Sequence, residues 1–322
     1  MRFVIYGAGA VGGAIGARLH AAGYPVALIA RGDQLLALQR NGLLLRTPAG
    51  DQQVHPPAYA TPAEAAIQPD DIVFLTMKSQ DTTAALAALD AVADEVPIVC
   101  AQNGVANERM AARRFRTVYG LHVLLPSVFL EPGVVVAFGT PVTGVLDVGR
   151  FPAGVDERAT QIAAALSASG FVSRPVADIL RLKYAKLLVN LTNALDAILG
   201  GSEPGGGILG QQLREEALAV YRAAGIDWAG EQEYQERELR HYRYGEVPGA
   251  VYRGSSTWQS LAKGRSQLEV DYLNGEICLL GALHGVPTPL NAAVRRLAQQ
   301  MAARGERPGS RTLADLTALL GP

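Results

Sequence analysis

Residues 1–16 read MRFVIYGAGAVGGAIG, a short apolar strand (Phe3 to Tyr6) running into Gly7-x-Gly9-x-x-Gly12 and then into an Ala/Gly-rich helix. Each glycine has a distinct task in a dinucleotide site. The first permits a tight strand-to-helix turn, the second lets backbone approach a pyrophosphate, and the third lets helix and strand pack closely. The helix that follows offers free N–H groups and the positive end of its dipole to phosphate. A glycine-rich turn alone is a weak signal, and its place between a strand and a helix is what strengthens it. Gly7, Gly9, Ala10, Val11 and Gly12 are therefore the expected cofactor-binding turn.

Strand-like runs at Phe3–Tyr6, Val26–Ala30, Ile72–Thr76, Ile98–Ala101 and Thr117–Leu121 alternate with helical stretches at Ala10–Ala22, Asp33–Asn41, Gln80–Val92 and Asn107–Arg114. That alternation predicts βαβ units in a parallel, doubly wound, Rossmann-type α/β sheet. Val134–Phe138 and Thr143–Gly149 read as an antiparallel extension of it, followed by a helix at Asp156–Ser169 and a last strand at Phe171–Arg174. Beyond Asp178 no strand is expected. Ile179–Leu199, Gln211–Ala224, Gly230–Tyr242, Thr257–Gly264, Gln267–His284 and Leu290–Arg304 all read as helices, with a glycine-rich connector at Gly200–Gly207. The expected division is a dinucleotide domain over 1–177 and an all-α substrate domain over 178–322, with substrate in the cleft between them.

Bulk composition narrows the class of partner. The net charge is −1 and nearly half the residues are apolar (49%), which argues against a nucleic-acid or membrane-surface partner drawn by charge. No apolar run nears the roughly 20 residues that span a bilayer. Cys100 and Cys278 are far apart, and the five histidines show no metal-ligand spacing, so no metal is expected. These features point to a cytoplasmic protein. There is no G-x-S-x-G, H-E-x-x-H or Walker pattern to support a hydrolase or kinase.

The second strand ends Leu28-Ile29-Ala30-Arg31. An NAD site usually carries an acid there for the ribose 2′-hydroxyl. A guanidinium at that point suits a 2′-phosphate instead, so NADP(H) is the expected cofactor. Asp33 lies past the turn and is read as the cap of the next helix.

Several local patterns, in order, resemble the ketopantoate reductase (2-dehydropantoate 2-reductase) family. They are GAGAVGG with Arg31, Leu35 and Asn41-Gly42-Leu43, then Met77-Lys78-Ser79-Gln80, then Gln102-Asn103-Gly104-Val105. Lys186-Leu-Leu-Val-Asn190 follows, then Ser255-Ser256-Thr-Trp-Gln259 with Arg265 and Glu269-Val-Asp-Tyr-Leu-Asn274-Gly275, and finally His284-Gly285-Val-Pro-Thr-Pro289. Together they span residues 7 to 289. The resemblance implies an NADPH-dependent reduction of a 2-oxo acid to a 2-hydroxy acid, ketopantoate to pantoate in pantothenate biosynthesis. Such a reduction needs a hydride at the carbonyl carbon and a proton for the developing alkoxide, which an ammonium group can supply.

By resemblance Lys186 is the proton donor, with Lys183 one turn earlier as the fallback. Glu269 then bonds the substrate hydroxyl, Ser256 the carboxylate, and Asn190 and Asn103 help bind substrate. Lys78 and Asn103 are also implied beside the cofactor. Departures from the family pattern bear on the substrate. Asn193 stands one residue nearer to Asn190 than the matching family Asn, with both expected on one helix face. The stretch from Ser256 to Glu269 is one residue longer than in the commoner pattern. Arg253 stands where the family often has an Asn; a guanidinium facing the cleft would bind a carboxylate as a fork, and the alternative is that it points to solvent. Another 2-oxo or β-hydroxy acid thus stays open as substrate, as does a non-catalytic NADP sensor. A homodimer is one candidate assembly.

Overall fold

A computed structural model describes residues 1–201 and 206–320. The middle of the Gly200–Gly207 connector, residues 202–205, lies outside the described residues. The chain divides into two compact units. The first comprises Met1–Gln102, Asn107–Leu182 and Gly230–Tyr252; the second comprises Asn103–Ala106 with the described parts of Lys183–Ala229 and Arg253–Pro322.

The first unit opens with β1 (Phe3–Tyr6), α1 (Ala10–Ala21), β2 (Val26–Ile29), α2 (Gly32–Asn41), β3 (Leu43–Thr47), β4 (Gly50–Val54), β5 (Ala58–Tyr59) and β6 (Ile72–Leu75). It continues through α3 (Thr82–Asp90), β7 (Ile98–Cys100), α4 (Asn107–Ala112), β8 (Val118–Leu124), β9 (Ser127–Glu131), β10 (Val134–Ala137), β11 (Gly139–Pro141), β12 (Val145–Arg150) and α5 (Glu157–Ala168). A seven-stranded sheet has the order β12-β8-β7-β6-β1-β2-β5. Its strands pair in parallel except β12, which runs antiparallel to β8. Strands β1, β2, β6 and β7 are almost continuous apolar runs because both faces are covered.

A second, four-stranded sheet, β4-β3-β10-β9, corrects the expectation that Val134–Phe138 extends the first. β10 instead pairs in parallel with β3 and antiparallel with β9. Helix α1 touches strands of both sheets, which explains its small residues. A Cβ added at Gly16 would press on Leu28 Cδ2 at 2.8 Å, and one at Gly13 on Val135 Cγ2 at 2.7 Å. Phe171–Arg174 forms no full strand; Val172 and Pro175 make only single bridges to β12.

Helix α5 is anchored by Asp156, whose carboxylate accepts from Ala159 N–H at 2.8 Å, Tyr119 OH at 2.9 Å and Arg150 at 2.8 Å. Burial by itself would raise that carboxyl, but these donors together hold it below the usual carboxylate range. Asp33, by contrast, is no cap. Helix α2 starts at Gly32, and Asp33 sits in its first turn, where a negative charge still favours the dipole.

Helix α6 (Ile179–Asn190) contains the boundary between the units, which falls after Leu182. The second unit holds α7 (Asn193–Leu199) and α8 (Gly207–Ala223). Helix α9 (Glu231–Leu239) and strand β13 (Tyr242–Tyr244) belong to the first unit, where β13 pairs antiparallel with β11. The expectation of no strand beyond Asp178 is thereby corrected. A three-residue strand depends on its partner, not on any periodicity of its own. Arg237 on α9 forms a two-pronged, buried pair with Asp147 of β12.

The second unit then continues with α10 (Ser256–Ala262), α11 (Asn274–His284), α12 (Pro289–Ala303) and α13 (Leu313–Thr317), packed around Leu187, Leu191, Leu213, Tyr221, Ile277, Val294 and Met301. Among the described residues no helix is long and apolar enough to cross a membrane, and no cluster of His, Cys, Asp and Glu would hold a metal.

Candidate active site

The glycine turn has the geometry its sequence implies. Gly7 adopts φ +109°, and a Cβ there would lie 2.8 Å from Met77 N. A Cβ at Gly12 would run into Gly7 O and Thr76 Oγ1. Gly9 differs from both. The nearest atom to its added Cβ is Gly7 O at 4.0 Å, so nothing among the described residues demands glycine there. An open approach to backbone at the head of α1 is what a pyrophosphate needs. That helix carries no side-chain cap and no acid in its first turn, leaving its N–H groups for an anion. Half-buried Ala10 and Val11 form its first positions. These residues fit a dinucleotide.

Arg31 follows β2 and stands 83% exposed, 3.2 Å from Asp81. An ion pair this exposed is weak and leaves the guanidinium available to a stronger anion. Lys78 is half-buried in the loop after β6, just ahead of a short 3-10 turn at Ser79–Asp81.

The remaining expected residues all fall in the second unit: Asn103, Lys186, Asn190, Asn193, Arg253, Ser256 and Glu269. Lys183 is buried, at 3% exposure, and Lys186 is half-buried one turn on. Asn190 is 6% exposed, and its Nδ2 finds no hydrogen-bond acceptor among the described residues. A buried amide donor left without an acceptor costs free energy of about 1–3 kcal/mol, which a ligand oxygen would remove. Asn193 does not continue the same helix. α6 ends at Asn190 and α7 begins at Asn193, so the shared helical face expected for these two residues is lost.

A direct contact ties Asn193 to Ser256, with Nδ2 donating to Oγ at 3.4 Å. The preceding Ser255 does the structural work. It caps α10 by accepting from Trp258 N–H at 3.2 Å and donates to Asn193 O at 2.9 Å. Its own N–H donates to Asp196 at 2.6 Å. Two adjacent serines thus divide capping from the candidate site, and Asp196 had no signal in the sequence.

Glu269 does not lie on a helix as expected. Gln267–His284 breaks into a 3-10 turn at Glu269–Tyr272 and α11 from Asn274, with Glu269 only 5% exposed. Arg253 stacks over Trp258 with its guanidinium carbon 5.3 Å from the ring centroid. A side chain at Gly254 would collide with that same ring. Gly104 lies against Tyr272 O, where an added Cβ would be 2.8 Å away, which brings the Asn103-Gly104 turn beside the Glu269 turn.

Residues 3–152 match the family described as ketopantoate reductase PanE/ApbA, and residues 178–302 match its C-terminal part. A 2-dehydropantoate 2-reductase from Archaeoglobus fulgidus is 32% identical over 300 residues, covering 92% of this chain and 96% of its own. The chain belongs to the ketopantoate reductase family. Membership makes it an oxidoreductase, a 2-oxo acid reductase of that family. The fold is likewise shared with a PanE/ApbA family ketopantoate reductase from Ralstonia eutropha, at TM-score 0.79 and 27% identity over 95% of this chain and 99% of that one. A D-mandelate dehydrogenase solved with NADH and anilino(oxo)acetate has the same fold, at TM-score 0.80 and 23% identity over 95% of this chain and 99% of that one.

Proposed function

We propose that this member of the family reduces 2-dehydropantoate to pantoate with NADPH, in the cytoplasm and in the service of pantothenate synthesis. The observation that carries the reading is the unsatisfied, buried amide of Asn190 on the helix of Lys186. A donor of that kind beside an ammonium group suits a carbonyl oxygen that gains negative charge during reaction. Relatives named 2-dehydropantoate 2-reductase that align over nearly the whole chain support ketopantoate as the substrate.

A bound nicotinamide supplies the hydride that reduces the carbonyl carbon. The chain's own residues do the rest. Gly9 and the head of α1 hold the pyrophosphate, Arg31 clamps the 2′-phosphate, and Lys78 adds positive charge nearby. Ser256, coupled to Asn193, binds the substrate carboxylate, and Asn103 and Asn190 orient the substrate. Lys186 passes a proton from its ammonium to the new alkoxide and recovers one from solvent. Glu269 accepts from the substrate hydroxyl. Replacing Lys186 with Ala should lower turnover by roughly 10²–10⁴-fold with the fold intact by circular dichroism. Near-normal turnover would move the proton donor to Lys183.

One observation favours a second reading. Arg253 holds its guanidinium over Trp258 and stands where the family often has a neutral Asn. A cation there suits a 2-oxo acid with a further negative group. Steady-state rates with ketopantoate and with dicarboxylic 2-oxo acids separate the two. Higher kcat/KM for ketopantoate, little altered in Arg253→Gln, supports the first reading; the reverse order supports the second.

A further inference from the structure

Behind the loops that follow β1, β6 and β7 runs a chain of buried polar side chains. Thr76 Oγ1 contacts Gly7 O at 2.8 Å and Tyr6 O at 3.0 Å, tying β6 to the first residue of the glycine turn. The next residue, Met77, offers its carbonyl to Gln102 Nε2 at 3.0 Å. The same Nε2 donates to Thr82 Oγ1 at 2.7 Å, and Thr82 in turn donates to Asn107 Oδ1 at 2.9 Å. Asn107 Nδ2 closes the sequence by donating to Ser79 Oγ at 3.0 Å. Ser79, Thr82 and Asn107 have no solvent exposure at all.

This arrangement is more than core filling. Its bonds bracket residues 77–82 from both ends, the segment that carries Lys78. They also join that segment to the strand ends where open α/β sheets form their ligand sites. Buried polar groups in such a chain favour one arrangement, because each lost bond strands a donor or acceptor away from water. We infer that Thr82, Gln102 and Asn107 are positioning residues for the cofactor. They act through the Lys78 loop and hold it in register with the glycine turn before ligand arrives.

The inference rests on the nicotinamide-binding reading of the first unit and needs no assumption about the substrate. Thr82→Val keeps the shape and removes the hydroxyl; Thr82→Ser keeps the hydroxyl. NADPH binding to the full chain, followed by nucleotide fluorescence, should weaken about tenfold in Thr82→Val and stay within about twofold of wild type in Thr82→Ser. In steady state the loss should appear in the KM for NADPH, with the KM for the 2-oxo acid unchanged. A purely structural role predicts a lower melting temperature in Thr82→Val with unaltered NADPH affinity, and that result overturns the inference. Should Thr82→Val not fold, Ser79→Ala, which removes the hydroxyl that accepts from Asn107, must still weaken NADPH, and equal affinity there refutes the proposal. Failure of the reductase reading would look different: the wild-type chain would bind NADPH yet oxidise none of it with any 2-oxo acid.

Discussion

Arg31 and Lys186 carry the residue-scale argument, and they were legible to different degrees. Arg31 speaks for itself, because a base at the end of β2 stands where an acid would select the unphosphorylated cofactor. Arg31→Ala should raise the KM for NADPH about tenfold or more and barely alter that for NADH. Equal effects on both would remove the case for the 2′-phosphate. Lys186 and Glu269 yield no such signal on their own. A helical lysine or glutamate is ordinarily a solvated charge, and only the resemblance singled these two out. Asp196, Thr82 and Asn107 escaped reading altogether, since a lone Asp, Thr or Asn follows no pattern until its partner is known.

Among elements, the glycine turn separates two kinds of requirement within one motif. Gly12→Ala drives a Cβ into Gly7 O and Thr76, so it should lower the melting temperature by several degrees, at about 2–4 °C per kcal/mol. Gly9→Ala meets no such obstruction. It should leave the melting temperature within about a degree while weakening NADPH at least about tenfold. If Gly9→Ala bound NADPH normally, the pyrophosphate would have to lie elsewhere.

The cap of α5 is sensitive to acid. The Asp156 carboxyl titrates below its ordinary range in the folded chain, so its contribution is complete above that range and is lost as pH falls through the depressed value. Asp156→Ala should cost about 1 kcal/mol at neutral pH, the usual worth of a cap. In acid titrations followed by circular dichroism, the gap between wild type and Asp156→Ala should narrow below about pH 4. A gap that widened there would contradict the assignment. The short elements were the hardest to foresee. β13 and the β3–β4 hairpin are set by their partners, and the break after Asn190 follows no Gly or Pro. The long βαβ alternation was legible because both its periods are strong.

At the scale of the whole molecule, the expected residues sort by unit. Gly7, Gly9, Gly12, Arg31 and Lys78 lie in the first unit, whereas Lys186, Asn190, Asn193, Ser256 and Glu269 lie in the second. The α/β character of one and the helical character of the other followed from texture alone. The return of residues 230–252 to the first unit did not, because the buried Arg237–Asp147 pair that anchors α9 there joins positions 90 residues apart. Chemistry divided in this way calls for a test on the full chain. The most direct one is the initial rate of NADPH absorbance loss with ketopantoate as the sole acceptor. Saturable oxidation is expected, with a kcat in the ordinary enzymatic range of about 1–10³ s⁻¹, falling at least about a hundredfold in Lys186→Ala. No oxidation above the acceptor-free background, with ketopantoate or any other 2-oxo acid, would contradict it.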